Sequence, residues 1–100
     1  MNKQRRKEIN EIINKLQNVD TVNDLEDCIS DLENVRDDED EYFSNIPENL
    51  QNSQRAYDSE QAIGTLDDVI DELTDACDSD LQEDWLDAAD YVINELSAII

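Results

Sequence analysis

Five consecutive carboxylates, Asp37 to Glu41, stand directly before the aromatic residues Tyr42 and Phe43. Clustered carboxylates can act as general acid and base, hold a divalent cation, or present an anionic surface to a basic partner. Catalysis is disfavoured because the chain has no histidine and only one glycine, so these carboxylates lack their usual catalytic companions and no Gly-rich loop is present. The run therefore predicts a binding surface in a protein that is not an enzyme.

The segment from Asp75 to Asp84, DACDSDLQED, has the acidic spacing of a calcium-binding loop. An EF-hand loop also needs a glycine at its sixth position and an acidic residue at its twelfth. This segment has neither, and its apolar residues follow a helical period. The sequence therefore predicts no metal site and no cofactor.

Net charge is the strongest signal in the chain, which carries 28 acidic and 7 basic residues for a formal charge of −21. Soluble helices usually mix the two signs, because oppositely charged residues four positions apart stabilise them. Here the imbalance grows along the chain, and no basic residue follows Arg55. Such a surface repels nucleic acid and anionic membranes and attracts basic protein surfaces. We therefore expect a basic protein as partner, with no direct contact to nucleic acid or membrane.

The elements that carry these acids are expected to be helices. One glycine and one proline are too few for a fold of strands and tight turns, and apolar residues recur every three or four positions. The pattern predicts a first helical arm over residues 2–43, a central connection at 44–58 that contains the proline, and a second arm over 59–98. The apolar stripe changes phase within each arm. Each arm is therefore expected to be either one helix with a local irregularity or two segments, with the break near 18–21 in the first arm and near 78–79 in the second.

These arms predict an all-α fold, either an antiparallel helical hairpin or a four-segment helical bundle. Folding the chain at its central connection pairs residues whose numbers sum to about 105, so that apolar positions face one another along both arms. Two long helices alone bury little core, so the core would be completed by compaction into four segments or by a homodimer. Cys28 and Cys77 lie on apolar stripes and are expected in this core.

The same fold-back brings the acidic run of the first arm beside acids of the second arm. The end of the molecule nearest the central connection is then expected to be its most negative part. The predicted acidic surface consists of Asp37, Asp38, Glu39, Asp40, Glu41, Asp67, Asp68, Asp71, Glu72 and Asp75. Tyr42 and Tyr57 are predicted to anchor the partner beside it, since tyrosine is enriched among the residues that dominate interfaces.

Three segments of the chain resemble a family of small acidic helical proteins encoded in bacteriophage genomes. They read RKEINEIINKL, RDDEDEYFSNIPENLQNSQR and AIGTLDDVIDEL, and they span most of residues 5–77. The most distinctive part is the Pro-Glu-x-Leu-Gln element at residues 47–51. The resemblance implies a phage protein that acts in the cytoplasm of a bacterial host. It implies no catalytic or binding residues, because the family has no settled activity.

The leading hypothesis is a phage counter-defence protein that mimics DNA and blocks the basic nucleic-acid channel of a host defence nuclease, such as a CRISPR effector or a restriction enzyme. A hairpin with arms of about 40 residues would be roughly 60 Å long. From Leu16 onward the chain carries 26 acidic and two basic residues, a net charge of −24. That is about one net negative charge per 2.5 Å, against roughly one per 1.7 Å in duplex DNA. The alternative is a structural or assembly adaptor that binds a protein partner through its apolar helical face, with Leu25, Leu66 or Trp85 in the contact.

Overall fold

Four α-helices that alternate in direction make up the protein, which the computed structural model describes over all of residues 1–100. They are α1 (Lys3–Leu16), α2 (Val22–Ser44), α3 (Gln54–Cys77) and α4 (Gln82–Ile99), with a 3₁₀ turn, Glu48–Leu50, between α2 and α3. Each helix packs against the next along the chain, and α1 also packs against α4. The predicted all-α fold is confirmed, and of its two forms the four-segment bundle is the one observed.

The interruption between α1 and α2 lies where the apolar stripe changes phase, and a capping box opens α2. Thr21 Oγ1 accepts a hydrogen bond from the Asp24 N–H (3.3 Å), and Asp24 Oδ2 accepts bonds from the N–H groups of Asp20 (2.9 Å) and Thr21 (3.0 Å). The bonds from Asp20 and Thr21 lower the pKa of Asp24. Asp24 therefore stabilises the fold above the ordinary carboxyl pKa, and this contribution is lost as pH falls through the lowered value.

The central connection is shorter than the predicted 44–58. Ser53 Oγ accepts a hydrogen bond from the Ala56 N–H (3.2 Å), so α3 begins at Gln54 and Tyr57 is already helical. Residues 54–58 were predicted to be loop because they are mostly polar. They are helical because Ser53, the residue before them, caps the start of α3. The second half of the molecule is therefore helical from five residues earlier than expected.

Between α3 and α4 the chain turns over residues 78–81. Trp85 closes this turn, since its indole N–H donates to the Ser79 carbonyl (3.1 Å) while its ring packs half-buried against the core. Ser79 Oγ also accepts a hydrogen bond from the Leu81 N–H (3.1 Å), although α4 itself begins without a side-chain cap. The turn allows α4 to fold back on α3.

One apolar core runs through the bundle and joins 17 buried residues. Ile9, Leu25, Leu66 and Leu96, one from each helix, are fully buried, and burying such a side chain contributes roughly 1.5–3 kcal/mol. A single chain supplies all four helices around this core. The bundle measures 48 × 22 × 19 Å along its principal axes, so it is shorter than the rod expected for a hairpin of two long helices.

An ion pair is buried near the start of α1. Arg5 Nε and Glu39 Oε2 lie 2.5 Å apart, without the alignment of a hydrogen bond, and Glu39 is fully buried. Ser59 Oγ donates to the other carboxylate oxygen, Oε1, at 3.0 Å. The prediction that Glu39 lies on the acidic surface is wrong, because Glu39 continues the buried stripe of Leu32 and Val35 along α2.

We expect Glu39→Gln to lower the free energy of unfolding by about 3–5 kcal/mol, because it leaves the charge of Arg5 buried without a counter-charge. Urea unfolding followed by circular dichroism measures the change. Asp38→Asn is the matched control, since it removes the carboxylate of an exposed neighbour and should change the free energy by less than about 0.5 kcal/mol. Equal effects of the two substitutions would show that the buried pair does not stabilise the fold.

Candidate functional site

The basic residues of the protein gather at one end of the bundle. α1 and α3 run in the same direction, so their first turns lie together, beside the last turns of α2 and α4. Five of the seven basic residues stand near those two helix starts: Lys3, Arg5, Arg6, Lys7 and Arg55. We call this the basic end. It is also the end nearest the central connection, where the most negative surface was expected. The turn after α1 returns the chain and sets the start of α1 against the end of α2, so these cations lie among the acids of that end.

Arg36 neutralises part of the predicted acidic surface. Its Nε lies 2.9 Å from Asp67 Oδ1, and its Nη1 lies 3.7 Å from a carboxylate oxygen of Asp37 and 3.8 Å from one of Asp40. The hydrogen bond and the charge of Asp67 raise the pKa of Arg36. Negative charge around this point is therefore lower than the run of five acids suggests.

Nine of the ten residues of the predicted acidic surface reach solvent, and Glu39 is the exception. The pair between Arg36 and Asp67 joins the acids of α2 to those of α3. Asp71 and Asp75 lie about one and two helical turns after Asp67, so the acids of α3 extend away from the basic end. The predicted surface is thus a band that crosses from α2 to α3 and then follows α3.

A groove between α3 and α4 is lined by four carboxylates and has a volume of about 390 Å³. Glu72 and Asp75 come from α3, Asp84 and Asp87 come from α4, and all four are exposed. We call it the acidic groove. No cation balances it, since no basic residue follows Arg55 and the Asp84 carboxylate accepts only a hydrogen bond from the Ser79 hydroxyl.

The α3 side of the acidic groove belongs to the acidic surface predicted from the sequence, whereas the α4 side does not. The fold-back of a hairpin sets α3 against α2, so it gives no reason to place acids of the last helix beside Glu72 and Asp75. Asp84, Asp87 and Tyr91 follow one another at intervals of three and four residues, which marks one face of a helix. That spacing is the signal that could have found them.

Tyr91 connects the acidic groove to the predicted acidic surface. Its hydroxyl donates a hydrogen bond to Asp68 Oδ2 at 2.7 Å. This bond, with further contributions from burial and from the charge of Asp68, raises the pKa of Tyr91 to about 12. Tyr91 therefore stays protonated at physiological pH and holds the α4 face against α3.

The two predicted anchor residues have different environments. Tyr42 is half-buried, and the guanidinium carbon of Arg5 lies 5.1 Å from the centroid of its ring. Tyr57 is 58% exposed on α3. Of the two, only Tyr57 offers a ring that is largely free for a partner.

Other groups with chemical potential have structural surroundings. Cys28 and Cys77 are free thiols that pack in or against the core, and burial raises the pKa of Cys28 to about 11. A thiol held protonated in this way is a poor nucleophile. No group of three or more His, Cys, Asp or Glu side chains is arranged to hold a metal ion. None of the four helices combines the length and the apolar composition needed to cross a bilayer.

Comparison of the chain with protein-family models, with curated proteins and with solved structures found no match. The function must therefore be inferred from the geometry and electrostatics of the bundle. The bundle presents a carboxylate-rich face on α3 and α4 and a group of cations at the basic end.

We expect one of the three tyrosines to ionise near pH 12 in a spectrophotometric titration, because Tyr91 donates to Asp68. The bond is intact below the ordinary tyrosine pKa, and the stability that it contributes is lost as pH rises through the raised value. Asp68→Ala should return the pKa of Tyr91 toward about 10. Tyr91→Phe is the control, since it should abolish the late transition. A late transition that persists in Asp68→Ala would contradict the assignment.

Proposed function

We propose that this protein is a DNA mimic that binds the basic nucleic-acid channel of another protein, and that its partner is a nuclease with which a bacterium defends itself against phage. The observation that carries the proposal is the charge of the α3–α4 half of the bundle. After Arg55 it bears 14 carboxylates and no basic residue, and all of these acids except Glu95 are exposed. A face of this kind attracts a positively charged channel and accelerates encounter with it.

The length and charge density of the bundle support the proposal. A net charge of −21 over a long axis of 48 Å corresponds to about one negative charge per 2.3 Å, against roughly one per 1.7 Å in duplex DNA. Along α3, the five carboxylates from Asp67 to Asp75 lie within about 12 Å of helix axis. Because a folded helix holds them in place, little backbone ordering is needed on binding.

Within this proposal the acidic groove supplies the strongest contact. Its four carboxylates come from two adjacent helices and have no basic neighbour. The acids near Arg36 contribute less, since Arg36 already pairs with Asp67 and lies near Asp37 and Asp40. The centre of the proposed contact therefore lies between α3 and α4, away from the basic end.

The alternative, an adaptor that binds through its apolar helical face, has less support from the packing. Leu25 and Leu66 are fully buried in the core, and Trp85 packs against it. A partner could reach Leu25 and Leu66 only after the helices separate, and only part of Trp85 is exposed. Exposed carboxylates need no such opening.

The decisive experiment measures inhibition of DNA cleavage by purified CRISPR effectors and restriction enzymes across a salt series. The groove variant carries Glu72→Gln, Asp75→Asn, Asp84→Asn and Asp87→Asn. A matched control carries Glu11→Gln, Glu26→Gln, Asp27→Asn and Glu33→Gln, four exposed acids of α1 and α2. Both variants lose the same charge, so only the position of the charge differs.

We expect the wild-type protein to inhibit at low salt and to lose inhibition as salt rises, because screening weakens contacts between exposed charges. The groove variant should inhibit about tenfold less strongly or worse, while the control keeps most of its effect. Circular dichroism verifies that both variants fold. Equal losses in the two variants would show that net charge alone matters, and undiminished inhibition by the groove variant would refute the proposal.

A further inference from the structure

A pocket at the basic end has two arginines in its wall. It has a volume of about 500 Å³ and lies where α1 and α3 begin and α2 ends, with Arg5, Tyr42 and Arg55 among its lining residues. A second pocket of about 480 Å³ shares Tyr42 and Arg55 with the first and extends over the central connection. The two cavities adjoin at Tyr42 and Arg55, and we call them together the arginine pocket.

Arg5 has hydrogen-bonding capacity that the protein leaves unused. A guanidinium group carries five N–H donors, yet no side-chain nitrogen of Arg5 donates a hydrogen bond to another residue, and Nε is near Glu39 without being aligned with it. The side chain is nine-tenths buried, and the ring of Tyr42 fixes one face of the guanidinium. Nε faces Glu39, whereas the two Nη groups have no protein partner and reach solvent. The Nη groups can therefore donate to an acceptor that enters the pocket.

Arg55 is the second cation of the pocket and takes part in none of the ion pairs of the protein. Asp58 also lines the pocket, but its Oδ1 already accepts a hydrogen bond from Gln54 Nε2 at 2.7 Å. The first turns of α1 and α3 bring the positive ends of two helix dipoles to this end, and the last turns of α2 and α4 bring two negative ends. Two arginines and one carboxylate, Asp58, therefore line this part of the pocket.

The outer part of the arginine pocket is apolar. Ile46, Pro47 and Leu50 line it, and Leu50 is 48% exposed. A concave apolar wall beside a few convergent polar groups is typical of small-molecule sites. The ligand that fits has an anionic group for the arginines and an apolar body for this wall.

The net charge of the protein restricts the anionic group. Long-range repulsion from a charge of −21 acts about twice as strongly on a dianion as on a monoanion, which disfavours phosphate monoesters. A carboxylate carries a single charge, and its two oxygens match the planar fork of an arginine. Carboxylate chemistry therefore suits the pocket best.

We propose that the arginine pocket binds an organic monocarboxylate. Arg5 and Arg55 hold the carboxylate, and Ile46, Pro47 and Leu50 contact the apolar body. This site lies at the basic end, apart from the acidic groove, and does not depend on the proposed DNA mimicry.

The test is a titration of the wild-type protein with octanoate, followed by two-dimensional NMR of the backbone amides and of the arginine Nε–H groups. Octanamide, of the same length but uncharged, measures the contribution of the apolar body alone. Inorganic phosphate measures the contribution of an anion without an apolar body. We expect saturable shifts around Arg5, Arg55 and Leu50 with octanoate, and much weaker shifts with the other two probes.

Arg55→Gln removes one cation from an exposed position and should weaken octanoate binding about tenfold or more, because a charge-assisted hydrogen bond is lost. Arg36→Gln is the matched control, since it makes the same change of charge outside the pocket and should leave octanoate affinity unchanged. Arg5→Gln combined with Glu39→Gln removes the buried charges together, so that neither is left unpaired, and should also abolish binding. The double variant is read alongside its amide spectrum, which reports folding.

Three results would overturn the proposal. The first is absence of saturable octanoate shifts at the basic end of the folded wild-type protein. The second is equal affinity for octanamide and octanoate, which would show that the arginines do not recognise the carboxylate. The third is an equal loss of affinity in Arg55→Gln and Arg36→Gln, which would show that overall charge, and not the pocket, governs binding.

Discussion

Mutual repulsion among 28 carboxylates is the constraint under which this bundle folds. A single core of 17 buried residues and a few cross-helix bonds must offset it, and the basic residues are too few to neutralise the surface. Two ion pairs and one hydrogen bond between helices relieve part of the repulsion. Lys15 pairs with Asp31 between α1 and α2, Arg36 pairs with Asp67 between α2 and α3, and Tyr91 donates to Asp68 between α4 and α3. Each of these bonds joins two helices whose surfaces would otherwise repel.

Helical periodicity was sufficient to predict the all-α class and to place the phase changes that separate the four segments. It could not decide which helices would be neighbours, because a hairpin of long arms and a four-helix bundle share the same apolar stripes. The arrangement of neighbouring helices determines where the basic end and the acidic groove lie. It placed the start of α1 at the end of α2, and it brought Asp84 and Asp87 beside Glu72 and Asp75.

Glu39 shows a second limit of prediction from sequence. In the run from Asp37 to Glu41 all five side chains have the same chemistry, and only the helical phase set by Leu32 and Val35 separates the buried one from its neighbours. Nothing in the sequence near Glu39 identifies Arg5 as its counter-charge or Ser59 as its hydrogen-bond donor, since they lie 34 and 20 positions away along the chain. A buried charge becomes predictable only when its partner is known.

The shortest helix, α1, carries the one buried ion pair near its first turn. It packs chiefly against α2 and α4, so its detachment would leave the long α2–α3 pair intact. Such a partial opening would release Arg5 from Glu39 and Tyr42 and would dismantle one wall of the arginine pocket. Amide hydrogens of α1 should then exchange with solvent ahead of those in α2 and α3, and whatever occupies the pocket would slow that exchange by the free energy of its own binding. Exchange of the α1 amides therefore offers a measure of binding at the arginine pocket that does not require the partner of the protein to be known.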